Sequence, residues 1–176
     1  MRFRAAIAVS AASAAAAGLS LTAPQSRAAA AETARTVRCA EKSLTVRAKA
    51  VPGDPTVLRV GVTHRGARAC LVDRVPTVAF GDLDGAALPT PEGGTGDYRL
   101  GAGRTAWADL RTVGDPADPE ARRVDTVTVA ASAAHRGRSF TAARLGTGPH
   151  VLVWEPVTTW WQPTRAAADR AIGLSR

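Results

Sequence analysis

Of the residues able to attack a bond, relay a proton or ligate a metal, the closest grouping in this chain is Ser132, His135 and Ser139 around Gly137. A serine becomes a nucleophile when a base holds its proton and donors face the developing oxyanion. Neither of these serines, nor Ser43 or Ser175, stands in a Gly-x-Ser-x-Gly elbow, and the segment around Gly137 reads as a hairpin loop. His64, His135 and His150 have no metal-type spacing and no helix to carry one, so each reads as a turn or strand-edge histidine. Gly81-Asp82-Leu83-Asp84-Gly85 has the look of a calcium loop. The further oxygen ligands and the closing acid that calcium requires are missing, and a hairpin turn accounts for the same residues through side-chain capping and positive φ. The other carboxylates lie in loops, where no pair suited to glycoside hydrolysis can be singled out. No constellation commits the chain to a reaction, and neither a metal nor a cofactor is expected.

The N-terminus carries a different message. Arg2 and Arg4 precede an apolar run from Ala5 through Leu21, and small residues follow around Ser26 to Ala31. This tripartite order is that of a secretory signal peptide, assigned to residues 1–30 with cleavage expected between about residues 28 and 34. The run is rich in alanine and broken by Ser10, Ser13, Gly18 and Ser20, which makes it weakly hydrophobic for a spanning helix of roughly 20 residues. The mature chain is therefore expected to be secreted, extracellular or associated with the cell wall, with no stable membrane span.

In an exported chain the only two cysteines, Cys39 and Cys70, read as one structural disulfide. A zinc site would need two further ligands from three scattered histidines, and a redox pair usually comes as Cys-x-x-Cys.

The formal charge of the whole chain is +8; loss of residues 1–30 removes Arg2, Arg4 and Arg27 and no acid, leaving +5. Basic residues are scattered, with Arg122 and Arg123 the only adjacent pair, and no aromatic-interleaved basic stripe runs along the chain. Nucleic acid is not expected as a partner. A weak electrostatic bias toward acidic envelope polymer remains.

Positioning of any site falls to strands. Leu44, Val46, Ala48 and Ala50 alternate with Thr45, Arg47 and Lys49, and Leu58, Val60 and Val62 alternate with Arg59, Gly61 and Thr63, each set defining one buried face. Further runs lie at Val75–Phe80, Tyr98–Leu100, Thr105–Thr112, Val124–Ala131, Ser139–Arg144 and His150–Val157, separated by clusters of Gly, Pro and Asp. Seven or eight short strands in succession predict an all-β antiparallel sandwich. No segment of useful length with helical period occurs between Cys39 and Val157, which argues against a doubly wound nucleotide-binding sheet.

Tryptophan gives the one functional hint. Trp107 shares its strand face with Asp109 and Arg111, opposite Ala106, Ala108 and Leu110, and is expected to face solvent. Trp154 shares a face with Leu152 and is expected in the core, whereas Trp160 and Trp161 stand beyond the last clear strand. Exposed tryptophans on a sandwich stack on sugar rings or anchor a partner, so Trp107, Trp160 and Trp161 are the candidate binding surface; the competing role is to cover the end of the sandwich or tie down the tail. The tail, residues 158–176, includes an alanine-rich stretch from Thr164 to Ile172 with Pro163 before it and Gly173 after it, the pattern of a short helix.

Cys39 is followed five residues later by Leu44-x-Val46, and Val60-x-Val62-Thr63 leads into a turn with Gly66, then Cys70 with Pro76 and Val78. Asp82 to Gly85 with Leu88, Leu100 to Gly103 before Ala106, Ala108 and Leu110, and the strand Val124 to Ala131 continue the pattern. Over most of residues 39–153 the chain resembles the secreted actinobacterial family catalogued as domain of unknown function 4232. The resemblance implies an immunoglobulin-like sandwich over residues 39–157, in a family whose members are exported or lipid-anchored and have no established activity. His64 stands where the family commonly has Asn, Arg74 where it has Gly, and the family's second cysteine pair in the C-terminal half is missing here.

The expected function is a non-enzymatic binding or structural module, with envelope polysaccharide or another exported protein as partner. The rivals are a secreted hydrolase using loop acids or the Ser132/His135 region, and an inhibitor or chaperone-like partner of another exported protein.

Overall fold

The computed structural model describes residues 37–174, so the expected leader and its cleavage window lie outside the described residues. In chain order the strands are β1 (Leu44–Val51), β2 (Asp54–His64), β3 (Cys70–Asp73), β4 (Thr77–Phe80), β5 (Leu88–Thr90) and β6 (Asp97–Leu100). They continue as β7 (Thr105–Arg111), β8 (Arg122–Val124), β9 (Thr126–Ala130), β10 (Arg138–Thr141), β11 (Val151–Val153) and β12 (Val157–Thr159). Two short helices, α1 (Ala142–Leu145) and α2 (Arg165–Ile172), complete the fold.

The period-two segments form the main sheet. β1 and β2 pair antiparallel from Leu44↔His64 to Ala50↔Leu58, joined at Pro52-Gly53, where Gly53 takes the left-handed φ of 83° that a tight turn needs. β7 pairs with the other side of β2, and the sheet runs β1-β2-β7-β12-β5. Pairing is antiparallel except between β12 and β5. Pro89 sits in β5, an edge strand, where a residue without an N–H costs the ladder least.

The inner face of this sheet carries Leu58, Val60, Val62, Ala106, Ala108 and Leu110, all fully buried. They pack on Val78, Phe80, Val127, Val129 and Phe140 of the opposing sheet β10-β9-β4, and on Val124, Val151 and Val153 of the pair β8-β11. The result is an all-β sandwich.

Among the described residues twelve strands stand where the hydrophobic periodicity predicts seven or eight. The run Val124–Ala131 divides at Asp125 into β8 and β9, which join different sheets. His150–Val157 divides at Glu155, whose φ is 42°, and at Pro156, leaving β11 and β12 in different sheets as well. The end of the Ser139–Arg144 run becomes α1, because Thr141 Oγ1 accepts the Arg144 amide and Gly146 supplies the left-handed C-cap.

Cys39 and Cys70 form a disulfide. It fastens the segment before β1 to β3, alongside backbone hydrogen bonds from Cys39 N to Leu71 O and from Leu71 N to Val37 O. Arg38 in the same segment bridges Asp73 and Asp97, which face each other across β3 and β6. At the other end of the chain no disulfide is needed, since β12 is inserted between β7 and β5 and α2 docks beyond it. Among the described residues no helix is long and apolar enough to cross a membrane.

Candidate functional site

The outer face of the main sheet holds the site. Residues that alternate with the core set on β2 and β7, namely Arg59, Gly61 and Thr63 with Trp107, Asp109 and Arg111, all point away from the interior. α2 packs on this face against β7 and β12. Thr164 caps the helix by accepting the Ala167 amide, and Gly173 ends it in the left-handed conformation. Ala168 and Ile172, one turn apart, are its buried residues. Ile172 joins Val51 and Val57 in a small second core, a contact that offsets the weak intrinsic stability of an eight-residue helix.

Under the helix lies an ionic triad. Asp109 is fully buried, and its two carboxylate oxygens accept from Arg59 Nε at 3.0 Å and Nη2 at 3.1 Å. Arg59 Nη2 also donates to Asp169 of α2. Burial pushes the Asp109 carboxyl above the ordinary aspartate range, against the pull of the Arg59 hydrogen bonds. Hydrogen bonding to Asp109 raises Arg59 and holds it charged.

Trp107 was expected to face solvent beside Asp109. It is half-buried instead, because its benzo ring lies over Gly61, where a Cβ would stand 2.9 Å from the ring, and the Arg165 guanidinium sits 4.3 Å from its centroid. The covering helix follows the segment in which Gln162 exchanges backbone hydrogen bonds with Trp107. Beside this stack a half-open groove of about 650 Å³ runs between α2 and β1. Arg47, Lys49, Arg59 and Arg165 line it with Trp107, and no carboxylate of the described residues does. Arg59 is neutralised by its triad, whereas Arg47, Lys49 and Arg165 have no ion-pair partner among the described residues.

The other candidate tryptophans do not join this groove. Trp161 is 3% exposed and belongs to the core, which removes it from any binding surface. Trp160 is half-buried: its Nε1 donates to Pro91 O and Arg74 lies over its ring, so it fastens the loop after β5. Trp154 and Leu152 are half-buried too, the core face of β11 being Val151 and Val153.

The residues with reactive potential are occupied elsewhere. Ser132 Oγ accepts the Asp73 amide at 2.9 Å, and His135 Nε2 bonds Cys39 O at 3.1 Å. A carbonyl only accepts, so that ring nitrogen carries the proton, and no hydrogen bond links it to Ser132 Oγ. Asp82 and Asp84 lie in the tight turn closed by Leu83 N to Phe80 O. Among the described residues no group of three or more His, Cys, Asp or Glu side chains is placed to hold a metal.

Arg47, Lys49, Arg59 and Arg165 were not singled out from sequence as a site. A signal was present: Arg47 and Lys49 occupy the outward positions of β1, and Arg59 the matching position of β2. What no pattern gave was the return of the tail, which brings Arg165 to Trp107 from 58 residues away.

A β-sandwich with a cationic groove on one outer sheet face is the class of molecule these features define. The chain belongs to the family described as Domain of unknown function (DUF4232), which matches residues 39–161. No curated protein and no solved structure gives a significant match.

Proposed function

We propose that this protein is an exported, non-enzymatic module that binds an anionic polymer of the cell envelope or its surroundings. One observation carries the reading: Arg47, Lys49 and Arg165 converge on one groove that contains no carboxylate among the described residues. Three other concavities on the molecule each include an acid, Glu41 in one, Asp84 and Glu155 in another, Asp73 and Asp97 in a third. Fixed cations facing a concave, partly apolar floor suit a ligand that pairs acidic groups with sugar rings. Trp107 serves mainly as the seat of Arg165, because that guanidinium already occupies one ring face. The expected leader and the disulfide support export.

The hydrolase alternative at Ser132 and His135 loses support from the separate hydrogen bonds these side chains make. A partner-protein reading would draw on a flat apolar patch around Trp107, and Arg165 covers that ring.

Titration of the secreted protein with an oligogalacturonate, followed by tryptophan fluorescence and calorimetry, tests the proposal. Binding that weakens as salt is raised, with no binding of a neutral glycan of equal length, is the expected result. Equal affinity for the neutral glycan, or no response to either, refutes it.

A further inference from the structure

We infer that the ligand is a chain that crosses the edge strand β1 and occupies a groove on each side of it, an inference that rests on the polyanion reading above. A second concavity, of about 600 Å³, shares Arg47, Ala48 and Lys49 with the first and is completed by Arg138, Phe140 and Arg144. It too contains no carboxylate among the described residues. Arg47 and Lys49 thus form the common wall of two cationic grooves. They stand two residues apart on one strand, about 7 Å along it, a separation that addresses successive charges of a polymer rather than one small anion.

The two ends of this track are built alike. Arg165 lies 4.3 Å from the Trp107 ring centroid at one end, and Arg138 lies 5.3 Å from that of Phe140 at the other. Each aromatic ring holds a planar guanidinium in place, so less side-chain freedom is lost when an acidic group arrives. Exposed charge on an edge strand has a simpler use, the prevention of edge-to-edge pairing between molecules. That use accounts for Arg47 and Lys49 but not for ring-seated arginines on both sides, nor for Arg144 beside them. A linear glycan bearing carboxylate or phosphate groups satisfies all five unpaired cations, Arg165, Arg47, Lys49, Arg138 and Arg144.

The experiment compares digalacturonate with octagalacturonate, and adds poly(glycerol phosphate), polyglutamate and duplex DNA of matched charge. It uses the secreted protein and an Arg138→Ala/Arg144→Ala variant, whose altered side chains are exposed. The octamer should bind at least about tenfold tighter than the larger number of disaccharide registers alone explains, and the variant should lose that gain while keeping its affinity for the dimer. Tighter binding of poly(glycerol phosphate) than of the octamer would assign the acidic groups as phosphates, and the reverse order as carboxylates; either supports the track. An octamer that gains nothing over the dimer, or that binds the variant unchanged, overturns the two-groove inference and leaves the single groove standing. No binding of any glycan overturns both. Polyglutamate or DNA binding as tightly as the best glycan overturns the assignment to a glycan. Circular dichroism and thermal melting of the variant confirm that a lost affinity is not lost folding.

Discussion

Arg59 and Asp109 are cross-strand partners in β2 and β7, and they meet through two hydrogen bonds on a sheet face that faces away from the core, yet the Asp109 carboxylate is fully buried there. The covering element is α2, whose Asp169 takes the same guanidinium.

Replacing Arg59 by Met should therefore cost about 3–5 kcal/mol, because it leaves a buried carboxylate without its cation. The pair itself is worth much less than that loss, so Arg59→Met/Asp109→Leu should recover most of the stability. Urea denaturation of the two variants and of Asp109→Leu, taken as a double-mutant cycle, checks both statements. A single Arg59→Met variant as stable as the parent would refute the triad's role.

Asp109 also gives the molecule a signed pH dependence. Its carboxyl is held above the ordinary aspartate value by burial, so in the window between the two the folded protein binds a proton that the unfolded chain has released. The contribution of this group to stability rises as pH falls through that window and levels off below the unfolded value. Glu41 acts in the opposite sense, since the amides of Gly137 and Arg136 depress it and its contribution is lost on acidification. The parent should therefore gain on Asp109→Asn as the medium is acidified, read as the difference between their denaturation midpoints. A difference independent of pH would contradict the assignment.

The Cys39–Cys70 bond closes a separation of 31 residues. Reduction, or the Cys39→Ser/Cys70→Ser variant, should cost about 3–4 kcal/mol in the chain-entropy treatment. Equilibrium denaturation with and without reductant measures it. Arg38 and its two aspartates are exposed enough to compensate little.

Gly61 lies directly beneath Trp107. Gly61→Ala places a methyl 2.9 Å from the ring, so the indole must shift and Arg165 loses its seat. Destabilisation of about 1–3 kcal/mol should accompany a changed tryptophan emission. If the ring holds the arginine for ligand, affinity for the oligogalacturonate should fall in the same variant.

Much of the sandwich was legible because strands with one buried face leave a period-two record. The inward sets of β1, β2 and β7 follow the alternation residue by residue, and the cysteine pair follows from chain context. Breaks such as Asp125 and Glu155-Pro156 were less visible, since an apolar run that changes sheets keeps its composition while changing partners. The site was harder still. Trp107 lies on the outer face that its place in the alternation implies, but its covering depends on α2, and a helix's landing place leaves no mark in its own eight residues beyond the spacing of Ala168 and Ile172. Trp161 was misplaced for a related reason: it follows β12, a three-residue strand too short to show a period.

The order β1-β2-β7-β12-β5 has a temporal meaning as well. A chain emerging from its N-terminal end presents β5 long before the strand that must lie between it and β7, so the widest sheet stays open until Thr159 has appeared. Until then the emerging polypeptide offers two unzipped borders to any neighbour, and a chain released before that point would be prone to clump.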